Sequence, residues 1–328
     1  LNELIADFVK RQNGKVAILP TEGRPNTDEL VAWATQEWNH SLCDLYLCWS
    51  AEIQKRLPET LHSVVTGCNR FDFYAAPLNE LVPEKEQICA IHGLNPDKPI
   101  YTVASSFPQA KFATRSQQFN IQDWKDLGIT KIKGREDPLA FAQKEVEYLG
   151  WFKQLLFYMM IEYPEAQFVI KPHPAEDIKP WRTWCGVTGA TLFLNEPIYP
   201  LLKISSKHIA RQGCVTLPEA WRAGVDTLQV CFDNLPSGAA NDAMQYGVIV
   251  RPAWEFEPCT GPEAAKPYLN KWFGVTGNSI QQTADELWKL AESTGDVTSP
   301  TTEEWGAFHQ AVMKHDKYHR TPHEDING

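Results

Sequence analysis

The stretch Phe168-Val169-Ile170-Lys171-Pro172-His173-Pro174 is an apolar run that ends abruptly in a rigid, cationic turn. Consecutive bulky apolar residues predict a strand that is buried on both faces, as in a parallel sheet. Proline fixes its own φ and restricts the residue before it, so Pro172 and Pro174 hold His173 in one pose. The stretch predicts an α/β fold in which Lys171 and His173 follow the carboxyl end of a buried strand.

Strand-like and helix-like segments alternate on both sides of this stretch. Before it, Ile100–Ala104 predicts a strand, and residues 137–163 carry apolar side chains at helical spacing. After it come predicted strands at 192–194, 208–210, 227–231 and 248–250, and predicted helices at 198–204, 217–223, 280–293 and 302–315. Repeated βα units predict a parallel sheet that is covered by helices on both faces.

The front of the chain repeats this alternation, with strands at 16–19, 45–49 and 63–66 and helices at 2–11, 27–37 and 51–56. Residues 77–98 are rich in Pro, Glu and Lys, which is typical of a connection between domains, and we expect a helix at 83–91. The 328 residues also favour two cores over one. We predict two Rossmann-like domains, at 1–95 and 96–300, followed by a helix and tail at 301–328.

The overall charge and the cysteine pattern limit the classes of function. With 31 Lys and Arg against 41 Asp and Glu, the formal charge of −10 disfavours sequence-independent binding of nucleic acid. Eight cysteines without a CxxC pair, several of them in apolar runs, indicate buried thiols in a reducing compartment. The sequence shows no signal peptide and no apolar run of about 20 residues. We expect a cytoplasmic protein.

Ligands of open α/β sheets bind beyond the carboxyl ends of the strands, so the polar residues that follow predicted strands are the candidates. Lys171 and His173 could neutralise a phosphate or a departing nucleotide, or they could form only a rigid turn with a solvent-facing histidine. Ser105 and Ser106 follow the strand Ile100–Ala104 and could bind a phosphate or simply make a turn.

Residues 211–220, Arg-Gln-Gly-Cys-Val-Thr-Leu-Pro-Glu-Ala, predict a strand end, a tight turn at Gly213 and the start of a helix. One interpretation is an anion site, in which the turn from Gly213 through Cys214 to Thr216 faces a phosphate and Glu219 holds ribose hydroxyls. The other interpretation is that Thr216 and Glu219 only form a capping box with each other.

Glu22 lies in the segment 20–23, Pro-Thr-Glu-Gly, directly after the first predicted strand. A carboxylate in that place could act as a general base, although a single loop glutamate is more often only solvated. Arg70 and Asp72 follow the third strand, and we expect them to form an internal ion pair.

No metal or resident cofactor is expected. The sequence has no phosphate loop, GxGxxG, GxSxG or HExxH motif. His315, His319 and His323 have the spacing of a helical metal site, but Pro322 interrupts that helix.

Taken together, these segments resemble the bacterial surface carbohydrate biosynthesis proteins, which are glycosyltransferases with the GT-B fold. Residues 65–72 resemble their "TGNPRFD" segment, with Cys68-Asn69 where Asn-Pro is usual. Residues 169–181 resemble their "IRPHPSEN…W" segment, and residues 209–224 resemble "HNGCTT…EA…G", with Arg211-Gln212 in place of the usual pair. Residues 16–23 resemble their strand that ends in an acidic residue and Gly. The resemblance runs from about residue 15 to about residue 250.

The His-Pro pair also resembles the motif of bacterial sialyltransferases, Kdo transferases and CDP-glycerol polymerases. This resemblance implies that His173 contacts the phosphate of a cytidine nucleotide, that Thr216 and Glu219 bind the nucleotide, and that Glu22 is the general base. The sialyltransferase motif often has two acidic residues where this chain has one. Members of the family also have more chain before this segment, which implies an incomplete N-terminal domain here.

The expected function is transfer of a sugar, such as Kdo or a sialic-acid-like sugar, from a CMP- or CDP-linked donor to a bacterial surface polysaccharide. The expected partners are the nucleotide-sugar donor and a glycan or lipid-linked glycan acceptor, and peripheral association with the inner membrane face stays open. Two alternatives also remain open. One is a nucleotide-sugar epimerase or hydrolase on the same fold, and the other is a non-catalytic nucleotide-sugar-binding assembly protein.

Overall fold

The computed structural model describes residues 2–20, 41–113, 130, 135–194, 197–232, 248–249, 260–274 and 277–319. Within them, the first of two sheets contains β1 (Ala17–Ile18), β2 (Leu45–Cys48) and β3 (Ser63–Val65) in that order. Both pairings in this sheet are parallel. The front of the chain is therefore a parallel α/β unit, as the alternation of segments predicted.

The second sheet has six parallel strands, in the order β6-β5-β4-β7-β8-β9. They are β4 (Ile100–Ala104), β5 (Gln167–Lys171), β6 (Thr191–Leu192), β7 (Lys207–Arg211), β8 (Asp226–Cys231) and β9 (Val248–Ile249). The chain moves outward from β4 to β6 and then returns to the other side of β4 with β7. This is the order of the doubly wound Rossmann sheet, so the α/β prediction is confirmed.

Helices connect these strands. They are α1 (Asn2–Arg11), α2 (Ala51–Gln54), α3 (Lys85–His92), α4 (Pro138–Glu162), α5 (Lys179–Thr188), α6 (Ile198–Ile204), α7 (Thr216–Arg222), α8 (Pro262–Phe273), α9 (Ser279–Glu292) and α10 (Thr302–His319). Short 3-10 helices lie at Asn69–Tyr74, Leu78–Leu81 and Ala110–Ala113. The helix predicted at 27–37 lies outside the described residues. No helix in the part of the chain that the structure describes is long and apolar enough to cross a membrane.

Local sequence explains where the longest helix begins. Asp137 is the N-cap of α4, and its carboxylate accepts hydrogen bonds from the backbone N–H groups of Leu139 and Ala140 at 3.0 and 3.1 Å. Pro138 follows in the first turn, where its missing N–H costs nothing. The buried face of α4 includes Phe152 and Leu156, which belong to the apolar cluster around β4, β5 and β7.

An apolar cluster joins the two sheets. It combines residues from the loops after β2 and β3 with residues from β4, β7, α7 and α8: Trp49, Cys68, Phe71, Ala104, Ala210, Leu217, Trp221, Trp272 and Phe273. All of them are buried. The carboxyl edge of the first sheet therefore packs against the second sheet. The exact domain boundaries, at 95 and 300, stay a prediction.

The expectation of buried thiols holds for five of the seven cysteines that the structure describes, and Cys43 and Cys214 are only partly buried. Cys48, Cys68, Cys89, Cys185 and Cys231 are buried free thiols. Burial raises the pKa of Cys48, Cys68 and Cys231 to about 12, which keeps these thiols protonated and unreactive at neutral pH.

Candidate functional site

The carboxyl ends of β4, β5 and β7 lie side by side and are called the switch-point edge here. Ala104 at the end of β4 is in register with Lys171 on one side and with Ala210 on the other. The direction of strand addition reverses between β4 and β7, and doubly wound sheets bind their ligands at such a reversal. The edge brings together most of the residues predicted for the second domain: Ser105, Ser106, Lys171, His173, Gly213 and Cys214.

His173 presents one ring nitrogen outward at this edge. Its side chain is exposed, and its Nδ1 accepts a hydrogen bond from the backbone N–H of Ala175 at 3.1 Å. A neutral ring with Nδ1 as acceptor carries its proton on Nε2. Nε2 has no partner among the described residues, so it is available as a donor to a ligand. Lys171 precedes this turn as the last residue of β5, with a partly exposed side chain.

Glu176, which the sequence analysis did not single out, is the centre of the His-Pro turn. Its buried carboxylate accepts hydrogen bonds from the Ser105 hydroxyl at 2.8 and 3.0 Å and from Phe107 N–H at 2.7 Å. Further donors are Trp181 Nε1 at 2.8 Å and His173 N–H at 3.4 Å. Glu176 thereby connects the loop after β4 to the loop after β5.

The two serines after β4 differ in what they can offer to a ligand. Ser105 is buried, and its hydroxyl is used by Glu176. Ser106 is only partly buried, and its carbonyl accepts a hydrogen bond from Arg211 at 2.9 Å. Its hydroxyl and backbone N–H have no partner among the described residues. Of the two predicted phosphate contacts, Ser106 is the one whose donors face no protein acceptor in the described chain.

Arg211 is a second residue that the sequence analysis did not assign to the site. Its guanidinium binds both carboxylate oxygens of Glu145 on α4 at 2.7 Å, and Glu145 is 2% exposed. The guanidinium also lies 4.7 Å from the ring centre of Phe107. A paired, bidentate arginine is held rigidly, so Arg211 fixes the position of the segment 105–107 from the side of β7.

The turn after β7 is built on a left-handed glycine and a buried histidine. Gly213 has φ of 75°, which favours glycine. Thr216 Oγ1 lies 2.8 Å from Nε2 of His208 and 3.1 Å from Sγ of Cys214. The capping-box interpretation is wrong, because α7 begins at Thr216 itself and its N-cap, Val215, makes no side-chain cap bond. The Thr216 hydroxyl instead ties the turn to β7.

Glu219 lies in α7 and is 1% exposed. Its carboxylate accepts a hydrogen bond from Tyr74 Oη at 2.7 Å and is paired with Arg70 Nη1 at 3.3 Å. Burial, followed by the charge of Glu219, raises the pKa of Tyr74 well above its usual value, so this tyrosine stays a donor. Arg70 and Tyr74 belong to the segment after β3, and this network therefore connects the two sheets.

The predicted ion pair between Arg70 and Asp72 is wrong. The Asp72 carboxylate accepts hydrogen bonds from the backbone N–H groups of Gly277 and Ile280 at 2.7 and 2.8 Å. Asp72 thus caps the start of α9, whereas Arg70 pairs with a residue 149 positions away. The two side chains leave the 3-10 helix Asn69–Tyr74 in different directions.

Glu22, the predicted general base, lies outside the described residues. The histidines of the tail are not placed as a group, because His323 also lies outside them. Among the residues that the structure describes, no group of three or more His, Cys, Asp or Glu side chains could hold a metal ion.

No model of a known protein family matches the chain, and no curated protein sequence matches it. Among solved structures, it is similar to UDP-GlcNAc 2-epimerase from Neisseria meningitidis bound to UDP-GlcNAc, with 14% identity, a TM-score of 0.47 and coverage of 87% of this chain and 72% of that one. The complex of S. aureus MnaA with UDP shows 11% identity, a TM-score of 0.40 and coverage of 94% and 71%.

A third similar structure is the wall teichoic acid polymerase TagF, with 12% identity, a TM-score of 0.31 and coverage of 84% of this chain and 59% of that one. All three similarities are weak. The fold assignment above depends on the strand order of this chain.

Proposed function

We propose that the protein is a GT-B-type glycosyltransferase that moves a sugar from a cytidine-nucleotide donor to a bacterial surface polysaccharide. The observation that carries the proposal is the set of hydrogen-bond donors at the point where the sheet order reverses. His173 Nε2 and the hydroxyl and N–H of Ser106 lie on adjacent strand ends of a Rossmann sheet. Lys171 adds a positive charge beside them.

Such an edge suits the diphosphate or monophosphate of a nucleotide-sugar. As the bond between the sugar and the phosphate breaks, negative charge collects on the departing phosphate oxygen. Preorganised donors and a cation stabilise that charge without having to move. In this proposal, His173, Lys171, Ser106 and the turn from Gly213 through Cys214 to Thr216 bind the phosphate, and no metal is needed to neutralise it.

Binding of a ribose by Glu219 requires this residue to exchange its hydrogen-bond partners. Glu219 was predicted to hold ribose hydroxyls, but its carboxylate is bonded to Tyr74 and Arg70. Ribose binding there requires these two groups to give way to the hydroxyls of the nucleotide. Because Arg70 is 41% exposed, its contact with Glu219 is the easier of the two to break.

The acceptor side of the reaction belongs to the first sheet. Glu22 follows β1 in the sequence, and we propose that it takes the proton of the acceptor hydroxyl when that oxygen attacks the sugar from the face opposite the phosphate. This step inverts the configuration at the sugar carbon. The proposed donor sugar is a ulosonic acid such as Kdo or a sialic-acid-like sugar. The proposed acceptor is a glycan or lipid-linked glycan at the inner, cytoplasmic face of the membrane.

A thermal-shift panel of CMP, CDP, UDP, GDP and ADP tests the nucleotide site. A ligand at 100 times its Kd adds about 2.7 kcal/mol to the free energy of unfolding. We expect CMP or CDP alone to stabilise the protein and His173→Ala to abolish the shift. His62→Ala is the matched control, because His62 is also exposed and its Nδ1 bonds a backbone group, the Asp44 carbonyl, at 3.1 Å, but at the amino end of the first sheet.

Product analysis then separates the three classes of function. Nucleotide release that requires an added glycan acceptor supports transfer. A free or isomerised sugar without acceptor would identify an epimerase or hydrolase, and tight binding without turnover would indicate an assembly protein. Stabilisation by UDP or GDP instead of a cytidine nucleotide would change the donor, and no shift with any nucleotide would remove the proposal.

A further inference from the structure

The three residues 105–107, directly after β4, are held from two neighbouring strands. From the side of β5, Glu176 accepts hydrogen bonds from the Ser105 hydroxyl and from Phe107 N–H, the latter at 2.7 Å. From the side of β7, Arg211 Nη1 donates to the Ser106 carbonyl at 2.9 Å. The segment therefore has little freedom to move relative to either strand.

The same carboxylate also holds the His-Pro turn. His173 N–H lies 3.4 Å from Glu176 Oε1, and the Glu176 backbone N–H bonds the His173 carbonyl at 2.9 Å. Trp181 in α5 donates to Glu176 Oε2 at 2.8 Å and is itself fully buried, which keeps the carboxylate in place. One buried side chain thus sets the relative position of two loops that come from different strands.

The donor groups that have no protein partner indicate what the two loops can bind. Among the described residues, no protein partner is found for the hydroxyl and N–H of Ser106 or for Nε2 of His173. They are donors, and each sits on a loop that Glu176 or Arg211 fixes. These three donors, on two residues at adjacent strand ends, suit the oxygens of a phosphate, whereas mobile donors would lose conformational entropy on binding.

We propose that Glu176 and Arg211 are positioning residues that set the donor geometry of Ser106 and His173 for the phosphate of the nucleotide. Neither residue touches the ligand itself. The Ser105 hydroxyl likewise donates its hydrogen bond to Glu176 and not to the phosphate. This inference deepens the proposed function and rests on it, since it names the residues that shape the same site.

The test compares ligands with and without phosphate. Kd is measured by calorimetry for CDP and cytidine, and for UDP and uridine, and the ratio of the nucleoside Kd to the nucleotide Kd reports the phosphate contribution. In Glu176→Gln, one acceptor oxygen becomes an NH₂ group that faces Phe107 N–H or Trp181 Nε1. One buried donor then loses its acceptor and the two loops separate. We expect the ratio to fall about tenfold while nucleoside affinity stays unchanged.

Arg211→Lys is the second variant, and it keeps the positive charge beside Glu145 but cannot reach Glu145 and Ser106 together. We expect the ratio to fall in this variant as well, so the test does not depend on Glu176→Gln folding. Asp44→Asn is the matched control. Asp44 also accepts a backbone hydrogen bond, from Val16 N–H at 2.8 Å, but at the amino end of the first sheet. This control should lose stability and keep the ratio.

The outcomes are distinct. A phosphate-specific loss in both variants, with the control unchanged, supports the positioning role. Equal losses for nucleotide and nucleoside would show that the two residues act only on overall stability and would overturn the inference, while the proposed function stands. A wild-type protein that binds none of CMP, CDP, UDP, GDP and ADP would remove the proposed function and this inference with it.

Discussion

His208, the second residue of β7, is a fully buried titratable group in the second sheet. The residue is 0% exposed, its Nδ1 lies 2.9 Å from the Thr102 hydroxyl, and its Nε2 lies 2.8 Å from the Thr216 hydroxyl. The Ser205 hydroxyl lies 2.9 Å from the Thr102 hydroxyl and extends this network. These hydrogen bonds tie β4, β7 and the start of α7 together. Burial lowers the pKa of His208 to about 3, so the ring is neutral in the folded protein.

A neutral buried histidine makes stability depend on pH. Between pH 3 and about 6.5, the unfolded chain binds a proton at His208 that the folded protein does not, so stability falls as the pH falls through this window. Lowering the pH from 7 to 5 should cost about 2 kcal/mol at this residue. Urea unfolding of the wild type and of His208→Gln at both pH values checks this. The variant should be less stable at pH 7 but should lose about 2 kcal/mol less on acidification.

Only His208 differs between the two proteins, so the contributions of all other titratable groups to the pH dependence of stability cancel in the comparison. Equal losses of stability in the wild type and the variant would mean that His208 takes up a proton in the folded protein over the same pH range as in the unfolded chain.

At the scale of elements, α4 links a local signal in the sequence to the candidate site. The helix begins at the Asp137 cap and carries Glu145 two turns later, where Glu145 holds Arg211. Asp137→Ala should lower the free energy of unfolding by about 1 kcal/mol, because two backbone N–H groups lose their acceptor. Asp137→Asn should stay close to the wild type, since asparagine caps equally well. If both variants lose the same stability in urea unfolding, the charge of Asp137 matters and the cap does not.

Helices and strands with a regular apolar pattern could be predicted from the sequence, and two helices that contain proline could not. The apolar runs at β4 and β5 and the helical spacing of α4 gave positions close to those observed. The sequence analysis did not predict α5 or α8. Both helices contain proline, Pro180 in α5 and Pro262 and Pro267 in α8, and proline argues against a helix. Pro180 lies in the first turn, where it is tolerated, and Pro267 lies inside α8.

In the candidate site, residues at strand ends could be predicted from the sequence, and long-range side-chain partners could not. Strand ends predicted His173 and Gly213, because position along one strand is local information. The roles of Glu176 and Arg211 depend on partners brought together by the strand order, such as Ser105 for Glu176, 71 positions away. Proximity in the sequence suggested Asp72 as the partner of Arg70, but the packing of the two sheets supplies Glu219. Long-range pairing of this kind is set by topology and is not visible in a motif.

At the scale of the whole molecule, the shared apolar cluster determines how a core mutation affects the stability of the two sheets. Phe71 comes from the segment after β3, is 1% exposed, and stacks on Phe273 of α8 with ring centres 4.8 Å apart. Trp49, after β2, lies against the same Phe273 ring at 5.7 Å. The segments after β2 and β3 therefore share this cluster with residues of β7, α7 and α8. We expect a loss of packing within the shared cluster to destabilise both sheets.

This arrangement predicts that both sheets unfold in one cooperative transition. Phe71→Ala should cost about 3–5 kcal/mol, because it removes a fully buried aromatic ring. In calorimetry we expect a single peak for the wild type, and a single peak at lower temperature for the variant, with the calorimetric and van't Hoff enthalpies equal. Leu156→Ala, in the cluster of the second sheet alone, is the matched control and should also move one peak. A nucleotide bound at the switch-point edge should then raise the Tm of the whole molecule. Two peaks, of which Phe71→Ala moves only one, would mean that the two sheets unfold independently.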